Sequence, residues 1–102
     1  MSRRLFAPTA LRELRAASVY IARDNWQAGE ALLDSALQAA RLLVDQPGLG
    51  HTGLGYPARY RFWSLTGFPY VLVYDTATQP IRILRVVHLA RDLPTLLAEL
   101  RA

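Results

Sequence analysis

The chain has 102 residues, 52% of them hydrophobic and 20% charged, which predicts one folded domain over residues 1–102 and excludes an intrinsically disordered chain. It has no cysteine for disulfides, no apolar run near the roughly 20 residues of a membrane helix, and too short an apolar N-terminus for a signal peptide, so we expect a cytoplasmic protein. The net charge is +4 and all 12 basic residues are arginine, which favours an acidic protein or a nucleic acid as the partner.

The N-terminal half predicts a short strand and a helical hairpin. The strand covers Arg3 to Pro8, and Thr9 is expected to cap the first helix. The apolar stripe of that helix has residues three or four positions apart: Leu11, Leu14, Ser18 and Ile21. Asp24 or Asn25 then caps a second helix that ends at Pro47. Two helices joined by so short a break are expected to pack antiparallel.

The C-terminal half changes to the periodicity of strands. A glycine-rich loop precedes three aromatic or β-branched segments, which predict strands over Arg59 to Leu65, Phe68 to Asp75 and Ile81 to His88. A final helix is expected to begin near Asp92 or Thr95, with Pro94 in its first turn. Its apolar stripe is Leu93, Leu96, Leu97 and Leu100.

This order of elements predicts an α+β fold. The plan is β-αα-βββ-α, with an N-terminal strand, a helical hairpin, a three-stranded antiparallel meander and a C-terminal helix. The helices are expected to cover one face of the sheet. The other face is expected to be partly open, and a functional site is expected there.

Motifs of nucleotide, metal and serine-hydrolase sites are weak in this chain. The segment from Gly48 to Gly53 matches G-x-G-x-x-G, but a helix precedes it and a strand follows, which is the reverse of a dinucleotide site. It is better interpreted as a flexible surface loop in which His51 is solvated. The two histidines lie far apart, with no carboxylate at ligand spacing. We therefore predict neither a metal nor a cofactor.

The third strand is the most informative segment. Simple alternation places Ile83, Arg85 and Val87 on one face and His88 on the other. An unpaired buried charge is costly, so Arg85 is expected either to meet a carboxylate or to point to the open face. Together with Arg59 and Arg61, it would then form a basic surface. Scattered, solvated arginines are the plain alternative.

The sequence resembles the ParE/RelE superfamily of type II toxins over nearly its whole length. The segments that carry the resemblance are "YIARDNWQAGEALLDSALQAARLLVDQPGLG" for the hairpin, "FPYVLVYD" for the middle strand and "ILRVVHLARDL" for the last strand and turn. A strand ending in V-x-H-x-x-R-D is similar to the ParE-type branch. The resemblance implies a toxin that binds DNA gyrase and blocks replication, and a cognate antitoxin that wraps the toxin in a hetero-oligomer.

The RelE-type branch, which cuts mRNA on the ribosome, is the first alternative. In those enzymes an arginine stands where this chain has Tyr70, and a tyrosine stands near Leu96 and Leu97. A second family arginine matches Arg91, but the family's lysines have no counterpart here. A nuclease would use a proton-transfer group and cations against the charged transition state. Its candidate residues are His88, Arg85, Arg91 and Arg61.

Our leading prediction is therefore a gyrase-binding toxin without catalysis of its own. His88 is expected to hold the turn between the last strand and the final helix, while Arg91 and Asp92 pair locally or cap. The predicted partner-binding residues are Arg59, Arg61, Arg82, Arg85 and Arg91. A third hypothesis is an inactive protein of the same fold that serves as an antitoxin-bound scaffold or a DNA-binding corepressor.

Overall fold

The computed structural model describes residues 5–53 and 55–101, except for the side chains of Leu97, Leu100 and Arg101. Two helices are followed by a three-stranded antiparallel sheet of order β1-β2-β3 and a short final helix, which confirms the predicted α+β class. The elements are α1 (Pro8–Ala22), α2 (Trp26–Asp45), β1 (Tyr60–Ser64), β2 (Tyr70–Asp75), β3 (Arg82–His88) and α3 (Leu93–Arg101).

The first helix begins two residues earlier than predicted, because its N-cap is Ala7 and not Thr9. Pro8 occupies its first turn and Ala7 is the N-cap, with no side-chain hydrogen bond. Proline fits there because its fixed φ suits the helix and its missing N–H would have no partner. The predicted cap Thr9 lies inside the first turn, where its hydroxyl accepts a hydrogen bond from Arg12 Nη2 at 3.1 Å. The Thr9 prediction was therefore wrong.

The second helix is capped as predicted. The Asn25 side-chain oxygen accepts hydrogen bonds from the backbone N–H groups of Gln27 and Ala28, at 3.1 and 3.2 Å. Such bonds satisfy donors that a helix leaves open at its start. No helix in the described residues is both long and apolar enough to cross a membrane.

The two helices form the predicted hairpin, and a glycine sets how closely they approach. The Ser18 hydroxyl donates to the Gly29 carbonyl oxygen at 2.9 Å. A Cβ at Gly29 would lie 2.7 Å from the Ser18 carbonyl oxygen and 2.9 Å from the Ala22 Cβ. Because real Cβ atoms are not found that close, a larger residue would push the helices apart.

The predicted first strand is reduced to one bridge among the described residues. Phe6 pairs in parallel with Ile83 of β3, and the Ala7 N–H donates to the Ile83 carbonyl oxygen at 2.8 Å. Arg3 and Arg4, which the prediction included, lie outside the described residues. The bridge sets the N-terminal segment along the outer edge of β3.

Each face of the sheet packs against its own apolar cluster. The cluster on the α1–α2 side includes Tyr70, Leu72, Tyr74, Ile83 and Val86. The cluster on the other side includes Phe62, Val71, Val73, Val87, Tyr56 and Leu96, with Leu93 packed against it. The face that was expected to be partly open is therefore covered in part by α3 and by the loop before β1.

A β-bulge changes the predicted faces of the third strand. Tyr74 lies opposite Ile83 and Val73 opposite Arg85, so Leu84 is the extra residue. Arg85 consequently shares a face with Val73 rather than with Ile83, and the predicted alternation was wrong at that point. Arg85 and His88 are still on opposite faces, because the bulge precedes both.

The glycine-rich loop is anchored rather than free, contrary to the prediction. The buried Tyr74 hydroxyl donates to the Pro47 carbonyl oxygen at 2.7 Å and accepts from the Gly50 N–H at 2.8 Å. His51 exchanges two backbone hydrogen bonds with Phe62 of β1, at 2.8 and 2.9 Å. The His51 side chain is exposed, as predicted.

Candidate functional site

The corner between β3 and α3 is organised by His88. Its Nδ1 atom accepts hydrogen bonds from the backbone N–H groups of Ala90 and Arg91, at 3.2 and 3.1 Å. Its own backbone N–H donates to Asp92 Oδ2 at 3.2 Å, and the Asp92 N–H returns a bond to the His88 carbonyl oxygen at 2.9 Å. The His88 ring therefore acts as a cap for the turn, as predicted, and its Nδ1 must be unprotonated to do so.

Arg91 and Asp92 form an exposed pair at the same corner. The Arg91 guanidinium donates to the two Asp92 carboxylate oxygens at 3.1 and 3.2 Å. This hydrogen bonding holds the pKa of Asp92 below its ordinary value and raises the pKa of Arg91. The Tyr70 ring meets the His88 ring edge-on, with 5.3 Å between centroids.

A groove of about 300 Å³ lies between α1 and this corner. The residues that line it are Glu13, Ala16, Ala17, Tyr20, Tyr70, Val86, Arg91 and Asp92. Small and apolar residues from α1 and β3 alternate with two tyrosines and three charged groups. Among the predicted partner-binding residues, Arg91 is the one that is both exposed and part of this lining.

Arg85 meets a carboxylate, which was one of its two predicted outcomes. Its Nε lies 3.0 and 3.1 Å from the Glu13 oxygens, and its Nη2 lies 2.9 Å from Oε2. Glu13 Oε1 also accepts the Val86 N–H at 3.0 Å. This pairing raises the pKa of Arg85. Sequence reasoning missed Glu13 as its partner; the signal available was that Glu13 is the one acidic residue in the α1 sequence.

The other predicted partner-binding arginines also have contacts within the chain. Arg59 forms a two-point ion pair with the buried carboxylate of Asp75, at 2.6 and 3.0 Å, which lowers the pKa of Asp75. Arg61 donates to the carbonyl oxygens of Gly48 and Gly50, at 3.1 and 2.8 Å. Arg82 is half-buried and lies opposite Asp75 in register.

The four residues of the nuclease alternative do not meet at one point. Arg61 lies on β1 opposite Tyr74, and therefore on the α1–α2 side of the sheet. Arg85 lies on the other face, opposite Val73. His88 is at the far end of β3, opposite Tyr70, with Arg91 in the turn beyond it. The described residues also contain no cluster of three histidine or acidic side chains that would hold a metal ion.

Comparison with known families identifies the fold. The family model described as the ParE toxin of type II toxin–antitoxin system, parDE, matches residues 5–93. The chain belongs to the ParE toxin family. As a ParE toxin of a type II module, it has an antitoxin as its implied partner. A search of curated proteins found no match.

A solved structure gives the same fold. The structure described as the chromosomal ParDE TA system from P. aeruginosa is similar with a TM-score of 0.67 and 15% sequence identity. The likeness covers 81% of this chain and 90% of that chain. The ParE-family match ends at Leu93, so it includes the hairpin, the sheet and the whole His88 corner.

Proposed function

We propose that this ParE-family protein is a toxin that inhibits DNA gyrase by binding it, blocks replication, and is neutralised by a cognate antitoxin. It acts as one ParE/RelE-like domain over residues 1–102 in the bacterial cytoplasm. A module of this kind supports plasmid stabilization. No chemical step by the toxin is required.

The proposal rests on one observation: the side chains that a nuclease would need are hydrogen-bonded or ion-paired within the chain. His88 Nδ1 accepts two backbone N–H groups, which leaves just the Nε2 atom of that ring for proton transfer, and Arg85 is paired with Glu13. Arg61 is bound to loop carbonyls on the opposite side of the sheet from Arg85. General acid–base catalysis needs a group within hydrogen-bond reach of the proton that it transfers, and cations near the same phosphate. These contacts instead favour a binding protein.

The groove beside Arg91 is the part of this site that we assign to a macromolecular partner. It combines two tyrosines with an exposed arginine, which are residue types enriched where binding energy concentrates in protein interfaces. The net charge of +4 favours an acidic antitoxin, since opposite charge speeds encounter and fixes register.

A supercoiling assay with purified toxin and gyrase tests the proposal. We expect supercoiling to be inhibited at micromolar toxin, and Arg91→Ala to weaken inhibition more than Arg41→Ala, an exposed arginine on α2. Normal supercoiling together with cleavage of mRNA on ribosomes would reject a gyrase inhibitor in favour of the RelE-type activity.

His88→Asn separates the two activities further. Asparagine keeps an acceptor near the turn but has no titratable group, so a gyrase inhibitor should keep its potency. A nuclease that used His88 for proton transfer should lose about 10²–10⁴-fold in rate. Circular dichroism of the variant checks that the fold is intact.

A further inference from the structure

Three exposed arginines lie along the outer side of α1: Arg12 and Arg15 within the helix, and Arg23 directly after its last residue, where it is the C-cap and keeps helical backbone angles. At 3.6 residues per turn they fall within roughly 80° of the helix circumference and extend over about 16 Å along its axis. Among the described residues, none of the three forms an ion pair with a carboxylate. Arg12 donates to the Thr9 hydroxyl and Arg23 lies over the Tyr20 ring at 5.9 Å from its centroid, and neither contact places a negative charge beside the guanidinium.

The charge is segregated between the two helices of the hairpin. Glu13, the acidic residue of α1, is turned away from the arginine face and paired with Arg85. The exposed charged residues of α2 are instead mainly acidic: Glu30, Asp34, Arg41 and Asp45. The positive field therefore belongs to one helix face and does not extend over the whole hairpin.

We propose that this arginine face of α1 binds the sugar-phosphate backbone of duplex DNA, independently of sequence. Guanidinium groups suit phosphate oxygens, and arginines along a rigid helix can follow a row of regularly spaced phosphates. Binding releases counterions from the DNA, which supplies the affinity. This activity goes beyond gyrase inhibition and does not depend on it.

The composition of the face favours duplex DNA over an acidic protein or single-stranded RNA as the partner. The core of a protein interface is apolar, and between the arginines the exposed apolar side chains are Ala16 and Val19, which are fewer than such a core contains. Single-stranded RNA is usually held by bases stacked on free aromatic rings. Tyr20, beside the face, is the one aromatic ring of the described residues that these arginines adjoin, and Arg23 lies over it at 5.9 Å from the centroid. A row of cations with a single ring beside it matches a duplex backbone better than a single strand, which is held by several stacked bases.

The test is fluorescence anisotropy of a labelled duplex of mixed sequence with the purified full chain, at several salt concentrations and without gyrase. The triple variant Arg12→Gln, Arg15→Gln, Arg23→Gln should bind roughly 10²–10³-fold more weakly at about 50 mM salt. The slope of log K against log salt should become shallower by about 3. The matched control Arg41→Gln, which removes one charge from α2, should leave the slope unchanged.

A lysine variant and a comparison of polyanions test the contact further. Replacing the three arginines by lysine keeps the charges and should retain most of the binding, since lysine also binds phosphate. A lysine variant that binds as poorly as the glutamine variant would contradict a backbone contact. Tighter binding of single-stranded RNA or polyglutamate than of duplex DNA would also contradict it. The same holds if Arg41→Gln loses as much affinity for DNA as the triple glutamine variant. Because gyrase is absent, failure here leaves the supercoiling result unaffected.

Discussion

The arginines of the sheet and the arginines of α1 have the same chemistry but different surroundings. On and beside the sheet, Arg59 and Arg85 each meet a carboxylate, and Arg61 bonds to two carbonyl oxygens. On α1, Arg12 and Arg15 meet no carboxylate in the described part of the chain. Arginine content therefore gives the charge available to a partner only after the internal pairs have been subtracted. The first group should therefore matter for stability, and the second for binding.

Removing the carboxylate of Asp75 should give the largest loss of stability. It is buried and accepts two hydrogen bonds from Arg59 and one from the Ala77 N–H. We expect Asp75→Ala to lower the free energy of unfolding by about 3 kcal/mol, since all three bonds are lost. Urea denaturation measures this. The control Asp34→Ala, at an exposed position of α2, should change little; equal effects would contradict the structural role of the Arg59 pair.

Acid should reveal the same pair without a mutation. Hydrogen bonding from Arg59 lowers the pKa of Asp75 below its reference value of 3.8. The stability that the ionised Asp75 contributes is therefore complete above its reference pKa of 3.8, and it is lost as the pH falls through the lower pKa of the folded state. Between neutral pH and about pH 3, the urea midpoint should fall more for the wild type than for Asp75→Ala. Parallel curves would exclude Asp75 as a source of acid sensitivity.

Glu13→Ala should have the next largest effect. The change removes the partner of a half-buried guanidinium and leaves the Val86 N–H at the edge of β3 without its acceptor. We expect a loss of about 2 kcal/mol, because water replaces part of these interactions. Glu30→Ala on α2 is the matched control. If the two variants unfold at the same urea concentration, the Glu13–Arg85 contact adds nothing to stability.

Arg61→Gln should act locally. It removes hydrogen bonds to the carbonyl oxygens of Gly48 and Gly50, which water can replace, so the cost is expected to be about 1 kcal/mol. Hydrogen exchange of the His51 and Phe62 amides is the sharper measurement, and their protection should fall. Unchanged protection would show that the loop is held without Arg61.

Arg15→Gln should give the smallest effect on stability and a clear effect on binding. The side chain is exposed and glutamine has a similar helix propensity, so the urea midpoint should not move. The salt dependence of DNA binding should nevertheless become shallower by about 1. A destabilised Arg15→Gln would remove the distinction between the two groups of arginines.

The order of elements could be predicted because the local signals agree with the tertiary structure. Helical spacing and the Asn25 cap define the hairpin, and the aromatic and β-branched segments become β1 to β3. The capping role of His88 followed from its place between a strand and a helix. In each case, neighbouring residues carry enough information to determine the structure.

The contacts that the sequence did not reveal join residues far apart in the chain. Glu13 and Arg85 are 72 positions apart, and Tyr74 reaches Gly50 over 24. The bulge at Leu84 was equally hidden, since two-residue alternation assumes regular pairing and an extra residue moves all later side chains to the other face. For that reason Ile83 and Arg85 were assigned to the same face, which was wrong, while the carboxylate that Arg85 meets was one of its two predicted outcomes.

The Glu13 contact also limits how the sheet can grow. Along the outer edge of β3, the Ala7 N–H donates to the Ile83 carbonyl oxygen, and the Glu13 carboxylate accepts the Val86 N–H. An added strand would need both of these backbone groups. At the opposite edge of the sheet, the backbone of His51 pairs with that of Phe62 in β1. Exposed strand edges are the usual route to edge-to-edge aggregation. This small, strongly apolar protein therefore protects both edges with its own chain, and a strand added beside β3 would have to displace Glu13 and set Arg85 free.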